Sequence, residues 1–584
     1  MLHPYPVSYR TNLNQDALRE LSMAHTPAIS KTAVGNLCKV ARNKARKAAF
    51  TFIISEDPAD GFSHKLISQA EAQPLIDAQQ AYIQAKGELL ELQAYVGLGP
   101  RAVPVQWLYT VEGANICAMQ SILSFPREEV ESAEKLAAPF APTFRIVYTP
   151  DFFPEVAGGQ RILVDLNSYT TYIMGPDYFG ESKKAALRML NHYIFQRGGL
   201  VLHAGAKGVT LPDGRHISMT IMGLSGTGKT TTTFSKQGDV TQPIQDDMVA
   251  LWPKGEMSVT ENGCFAKTWG LSEKTEPVIF RGTVSTDAWT ENVYTDANGD
   301  FDFVKELLSP SEAKRLRQTL VETGANPANL DRYISGGISA EQVLDENGVP
   351  DDGWDFVKWT ANGRSIIPMS SVENAADLSR IDAVQSMGIL NRDEGEDACI
   401  PGIVRFTNPL QAAGFFMLGE TTKTSAAGKE RGKTRSPFTQ PFFPLAHGLQ
   451  AVRFGELAQT MPGVDLWLMN TGFVGGDGKS VKEGVGHKVK IRHSSAMLEA
   501  MLKEEIVWTT DPDFGYQVVD VEHPGNAALL EKVPLEILSP RRAYASTGRA
   551  EIYRDWVRRM KADRRAFLES YEVDAAIVAA TNNV

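Results

Sequence analysis

The densest concentration of chemistry-bearing residues is Gly223-Leu224-Ser225-Gly226-Thr227-Gly228-Lys229-Thr230, continued by Thr231. Glycines at this spacing let main-chain N–H groups turn inward on an anion. Lys229 adds a positive charge for β and γ phosphates, and the Thr230 hydroxyl suits Mg²⁺. Average residue usage yields only ~0.02 chance matches to such a pattern in a chain of this length. A ligand-free Gly-rich turn is the plain alternative. A carboxylate partner follows at Asp246-Asp247, which enters the apolar run Met248 to Leu251. An acid there can hold a divalent cation. Alone, such a pair reads as a solvated turn or cap.

These residues need a strand to lead in and a helix to lead out. Ile217 to Met222 is a β-rich lead-in. Upstream, residues 48–55 read as a buried strand, and Gln69 to Leu92 reads as a helix on its Ala, Gln, Leu and Glu content. Three short β-rich runs start at Phe144, Arg161 and Tyr169. A helix over Glu181 to Arg197 follows, closed by Gly198-Gly199, and then a strand at Leu200 to Leu202. This alternation predicts an α/β or mixed α+β architecture. A helical piece and an acidic, Gly-containing piece near 306–355 read as an inserted surface subdomain, with a linker as the alternative.

The chain has 584 residues, 43% hydrophobic and 22% charged, with a formal net charge of -11. Those proportions exclude wholesale disorder. The negative balance argues against a general nucleic-acid surface, although it leaves room for a local basic pocket. Cys38, Cys117, Cys264 and Cys399 form no C-x-x-C pair, which predicts reduced thiols in a cytoplasmic protein. No apolar run approaches the roughly 20 residues of a membrane span, and no secretory signal is evident.

With these motifs in place, the chain resembles the ATP-dependent phosphoenolpyruvate carboxykinase family. Gly223 to Thr231 matches that family's GLSGTGKTT loop, Asp246-Asp247 its GDD, and Asn262-Gly263-Cys264-Phe265-Ala266-Lys267-Thr268 with Glu276-Pro277 its GGCYAKT and EPEI. Leu468-Met469-Asn470-Thr471-Gly472 resembles YLVNTG, and Ser539 to Tyr544 resembles DPRNTY. The similarity runs from about residue 144 to 550, with the insertion interrupting it. It implies a two-domain fold with a cleft, an N-terminal domain over 1–199, and a C-terminal mononucleotide-binding domain over 200–584 that carries the P-loop.

Carried over residue by residue, the resemblance implies Mn²⁺ on Lys184, His203 and Asp247, and Mg²⁺ on Thr230. Lysine ligates only as the neutral amine, so its pKa must be depressed by the cation and the adjacent lysine. Without the family, Lys183-Lys184 reads as a solvated helix start and His203 as a satisfied core histidine. Arg364, in Asn362-Gly363-Arg364, would bridge the transferred phosphoryl group and the acid. Arg42 is the candidate for the substrate-carboxylate arginine, in a stretch where little else of the family's GRSPKDK is kept besides Lys47; a basic surface turn is the alternative. Tyr178 and Ser225 would orient the substrate. Glu276, Lys488 and Ser494 would join the loop and His203 in holding ATP. Lys488 stands where the family has arginine and cannot stack or fork as arginine does.

The implied reaction is oxaloacetate and ATP to phosphoenolpyruvate, ADP and CO₂, a step of gluconeogenesis, with small molecules as the only partners and a monomeric state. Departures suggest alternatives. Lys429, Arg431, Lys433 and Arg435 make the lid more basic than the family's, with Glu430 the lone acid among them. A basic lid would suit a kinase acting on a more anionic acceptor. A non-catalytic nucleotide sensor is the third reading, against which Lys229, Thr230 and Asp247 weigh.

Overall fold

The computed structural model describes residues 3–46, 48–56, 61–224, 226–339, 360–423, 432–440 and 442–583. The elements, counts and absences given below are those of these residues. By packing they fall into two compact units. The first comprises Met1–His192 and Thr260–Glu373, the second Tyr193–Val259 and Asn374–Val584. The sequence reading placed one cut at 199/200. Strand pairing explains the difference. Gly263–Lys267, Arg364–Pro368 and Trp289–Glu291 join Leu37–Lys39 and Ile29–Lys31 in one five-stranded sheet of the first unit.

The first unit also holds a nine-stranded sheet. Its centre is Val103–Tyr109, Phe144–Thr149 and Thr170–Met174, paired in parallel, with Arg161–Asp165 antiparallel to the last of these. The three β-rich runs of the sequence are therefore neighbours. The predicted helix over 69–92 ends early, at Lys86. Gly87 caps it with φ 75°, a left-handed conformation that glycine adopts freely. Glu88–Val96 then forms a strand of the sheet, buried in succession from Leu89 to Leu92 and alternating only beyond them. Helix Gly180–Phe195 begins one residue before its predicted start.

Residues 310–334 of the expected insertion form three short helices, Pro310–Arg315, Arg317–Glu322 and Pro327–Ile334. Leu308, Ala313, Leu320, Leu330 and Tyr333 pack there with Val40 and Tyr294. The segment thus has a small buried cluster of its own, which Val40 and Tyr294 join. Its continuation over 340–355 lies outside the described residues.

The second unit is built on an eight-stranded sheet. Its centre is the parallel trio His216–Met222, Ser386–Asn391 and Asp465–Asn470. Gly388 sits in register with Trp467, and a Cβ there would lie 2.1 Å from the indole ring. Only glycine lets Trp467 lie flat against the neighbouring strand. Ile221, Leu390, Trp467, Met469 and Met497 form the adjoining core. All four cysteines are buried free thiols. No helix is long and apolar enough to cross a membrane.

Candidate functional site

In the second unit, the strand His216–Met222 runs into the Gly-rich loop, and helix Lys229–Phe234 leads out. Gly226 and Gly228 have φ 87° and 90°, conformations that L side chains rarely adopt. Thr227 turns the loop back through its hydroxyl, which donates to the Leu224 carbonyl at 2.7 Å. Thr471, just past strand Asp465–Asn470 two places along the sheet, pins it, its one hydroxyl proton shared between the Thr227 carbonyl at 2.7 Å and that of Asn391 at 3.2 Å. Asn470 braces the same turn by donating to the carbonyls of Ile400 and Phe473. The Asn-Thr-Gly motif therefore holds the loop.

Lys229 Nζ donates to Asp247 Oδ1 at 2.8 Å and to its carbonyl at 3.2 Å. His203 Nε2 lies 2.9 Å from the same Oδ1. The other ring nitrogen, Nδ1, is 3.0 Å from the Phe438 carbonyl, which can only accept. Nδ1 therefore carries a proton, and in the neutral ring Nε2 presents a lone pair to the carboxylate. Two acceptors so placed need a proton or a cation between them. Two ligands at about 2.1 Å from a metal and at right angles to each other stand about 3 Å apart, so the pair fits a divalent ion. No three His, Cys, Asp or Glu side chains converge on a metal centre among the described residues. The further donors of such an ion are then of other kinds, such as hydroxyl, amine, phosphate or water.

Lys207 is a residue to which the sequence reading gave no role. It is buried, and donates to the Thr232 carbonyl at 2.5 Å, to the Ser235 carbonyl at 3.1 Å and to Gln237. It closes the C-terminal end of the helix that follows the loop. Burial pulls its pKa down to about 7. Lysine in the segment His203 to Lys207 was the clue available in the sequence.

In the first unit, one cross-strand row carries the charge. Lys267 pairs with Arg364, Arg364 with Glu291, and Glu291 with Lys39 in the register of adjacent strands. Paired residues share a sheet face. Arg364 lies 5.4 Å over the Phe265 ring and donates to the Gly363 carbonyl at 3.1 Å. Tyr178 is buried beside it, its pKa raised by burial. Crowding by protein and then the charge of Arg364 lower Lys267 to about 8. The Lys267 side chain nevertheless keeps solvent contact, which limits that shift. Glu291 was missed by the sequence reading, although an acid inside Ala-Trp-Thr-Glu-Asn-Val is a visible anomaly. Its carboxyl is fully buried, accepts the Phe179 N–H at 2.9 Å through Oε1, and leaves Oε2 without a hydrogen bond. Burial, and then Asp177, raise its pKa to about 8 against the pull of Lys39 and Arg364.

Other expected residues fare differently. Lys183 and Lys184 are both buried, so neither forms a solvated helix start. Lys183 pairs with Glu261 at 2.9 Å and lies over Phe265. Arg42 is clamped by protein groups. It donates to the Pro150 and Gly175 carbonyls at 2.5 and 3.1 Å and stacks on Phe153. That is a structural use of the guanidinium expected to face a carboxylate. Glu276 starts helix Pro277–Thr283 in the first unit.

Lys488 is exposed, 5.6 Å over the Phe473 ring, and Ser494 is half-buried on helix Ile491–Leu502. Their segment joins the loop region through Val489 N–H, which donates to the Gly472 carbonyl. Ser225, Lys47, Lys429, Glu430 and Arg431 lie outside the described residues. The two described lid cations are already neutralised. Lys433 pairs with Asp393 and Asp397 at 2.8 and 3.0 Å, and Arg435 pairs with Glu420 at 2.8 Å. Arg564 takes the other Glu420 oxygen at 2.6 Å. Burial favours a neutral Glu420, but Arg564, Arg435 and Lys433 outweigh it and hold the carboxyl well below its usual range. The expectation of four cations facing a ligand is corrected for these two.

A mixed α/β fold, a Gly-rich loop between parallel strand and helix, and an imidazole–carboxylate pair on the loop lysine define a phosphate-handling nucleotide protein. The model of the family described as phosphoenolpyruvate carboxykinase matches residues 8–312 and 335–525. The chain belongs to the ATP-dependent phosphoenolpyruvate carboxykinase family. Relatives named phosphoenolpyruvate carboxykinase (ATP) include that of Thermus thermophilus, 28% identical over 456 residues, or 75% of this chain and 70% of the relative. That of Mesorhizobium japonicum is 30% identical over 425 residues, 70% of this chain and 64% of the relative. That of Rhodopseudomonas palustris strain BisB5 is 29% identical over 422 residues, with the same coverage. The match thus spans roughly two thirds of the relatives' length, and the unmatched residues 313–334 include two of the three short helices.

Proposed function

We propose that the protein is an ATP-dependent phosphoenolpyruvate carboxykinase, converting oxaloacetate and ATP to phosphoenolpyruvate, ADP and CO₂. The observation that carries this reading is Asp247 Oδ1, shared by Lys229 Nζ and His203 Nε2 beside the Gly-rich loop. The C–C bond to the leaving carboxylate breaks and CO₂ departs. The enolate oxygen that remains takes the γ-phosphoryl group, and ADP leaves. Lys229 and the loop N–H groups neutralise charge on the phosphates, and Arg364 offers a fixed guanidinium to the equatorial oxygens. Tyr178 and Arg364 orient the acid. Arg42 holds its own loop.

His203 and Asp247 would hold Mn²⁺, with Lys184 added by the resemblance, and Thr230 would hold Mg²⁺. Such ions supply Lewis-acid stabilisation of developing oxyanions. Glu276, Lys488 and Ser494 are proposed contacts of the nucleoside. A cytoplasmic monomer is the proposed state, tested by fractionation and light scattering. The reading with a more anionic acceptor draws on the basic lid and on the loss of most of GRSPKDK around Arg42, and the acid pairs of Lys433 and Arg435 weaken the first of these grounds.

The test is a coupled assay with oxaloacetate, ATP, Mg²⁺ and Mn²⁺. Phosphoenolpyruvate should form at a rate at least a hundredfold, on the order of a lost charge-stabilising group, above Lys229→Ala. Equal rates in the two proteins reject the reading.

A further inference from the structure

The helix Ala550–Ser570 of the second unit buries a stripe that reads Tyr553, Val557, Met560, Arg564 and Leu568. Four of the five are the apolar or aromatic residues that seat a helix on a core. Arg564 is the exception, 1% exposed and lying 4.7 and 5.1 Å over the rings of Phe415 and Phe514. Apolar residues of similar volume often replace a buried ion pair without loss of stability, so docking alone does not call for an arginine here. Its fork is spent on one carboxylate. Nε donates to Glu420 Oε1 at 3.0 Å and Nη2 to Oε2 at 2.6 Å. Arg435 Nε donates to the same Oε1 at 2.8 Å.

Glu420 directly precedes strand Thr421–Lys423, and Arg435 directly follows its antiparallel partner Gly432–Thr434. The two chains cross at that point. Ser436 N–H donates to the Leu418 carbonyl at 3.0 Å, and a Cβ on Gly419 would run into the Ser436 carbonyl. Three residues beyond Arg435 comes Phe438, whose carbonyl takes the Nδ1–H of His203. A continuous path therefore runs from the helix through Glu420, Arg435 and the Phe438 carbonyl to the imidazole that meets Asp247.

We propose that Arg564 and Arg435, joined through Glu420, are positioning residues for His203. They set the Phe438 carbonyl, which holds the imidazole in its Nδ1–H form and aims Nε2 at a divalent cation shared with Asp247. For the cation the inference rests on the carboxykinase reading, which puts Mn²⁺ on this pair. The partner of the far ring nitrogen sets the tautomer, orientation and basicity of a ligating histidine. Here that partner is a main-chain carbonyl, so it is only as well placed as the run 435–438 that carries it. Glu420 is the fixed point, because a bidentate arginine holds it from a helix and the second arginine ties the run to it.

The full-length protein, Arg435→Met, Arg435→Lys and Arg564→Met are labelled with ¹⁵N-histidine. The His203 ring nitrogens are read by NMR at pH 8.5 without metal or nucleotide, and assigned with His203→Asn. The parent should show a protonated Nδ1 and a bare Nε2. Both Met variants should move the two signals toward a mixture of tautomers, and Arg435→Lys, which gives Glu420 back a donor, should keep the parent's pattern. Titration with Mn²⁺ alone, followed by the EPR signal of the free ion, should show binding at least about tenfold weaker in the Met variants. In turnover, raising Mn²⁺ should recover their activity, with the KM for ATP unchanged.

An Arg435→Met protein with the parent's ring pattern and Mn²⁺ affinity overturns the proposal. Each Met variant leaves one arginine against Glu420, so neither strands a buried charge. Should Arg564→Met nevertheless fail to fold, Arg435→Met decides alone, since it leaves the fork of Arg564 on Glu420 intact. Ring patterns that change as expected in a protein forming no phosphoenolpyruvate refute the carboxykinase reading and leave the positioning role standing.

Discussion

Glu291 shows how a single buried group can govern behaviour. Its carboxyl titrates near 8 instead of 4.5 because burial, aided by Asp177, outweighs Lys39 and Arg364. Between those two values the folded chain keeps a proton that the unfolded chain releases. Stability contributed through this group therefore falls as pH rises from about 4.5 to about 8, by about 1.4 kcal/mol per pH unit, and levels off above. Glu291→Gln keeps the shape and the acceptor for the Phe179 N–H but cannot ionise. Urea denaturation at pH 5, 6.5 and 8 should show the variant gaining on the parent at each step. A constant difference across the three pH values would falsify the assignment. Asp247 is the counterpart in the second unit, a carboxylate kept useful because Lys229 and His203 meet on one oxygen.

Among elements, the helix Lys229–Phe234 has only six residues, too few to be stable alone. Two devices hold it. The loop before it is pinned by Thr471, and the carbonyls at its end are taken by Lys207. Replacing Lys207 with Met leaves the Thr232 and Ser235 carbonyls short of a donor, at about 1–3 kcal/mol each, partly offset by removing a buried amine. The looser helix should weaken Mg·ATP binding about tenfold, equivalent to about 1.4 kcal/mol, read by titration calorimetry. The pH signature separates this from general damage. Lys207 titrates near 7 when folded and near 10.5 when unfolded, so the unfolded chain holds more protons between those values. The parent should gain stability from pH 7 to 9 relative to Lys207→Met. A difference that stays flat with pH would remove Lys207 from this role.

At the scale of the whole molecule, the sequence made the loop, its lead-in strand and the mixed α/β class legible, because glycine spacing and apolar runs are local signals. What it hid was long-range. Gly263–Lys267 and Arg364–Pro368 return to the N-terminal strands through pairings that no local pattern announces. The acids that neutralise Lys433 and Arg435 lie far from them in sequence. The stretch near 306–355 reads as an inserted surface subdomain because a helical piece is followed by an acidic, Gly-containing one, yet Leu320, Leu330 and Tyr333 supply a buried cluster with Val40 and Tyr294. That cluster lies within the first unit, while the core around Ile221, Trp467 and Met469 lies within the second. Leu330 is fully buried, so Leu330→Ala should cost about 2–5 kcal/mol through lost transfer energy and a residual cavity. Hydrogen exchange should accelerate in Pro310–Ile334 and in Leu37–Lys39, while protection in His216–Met222 and Asp465–Asn470 stays at the parent's level. Unchanged exchange in Leu37–Lys39 would mean that these helices are the appendage their composition suggests.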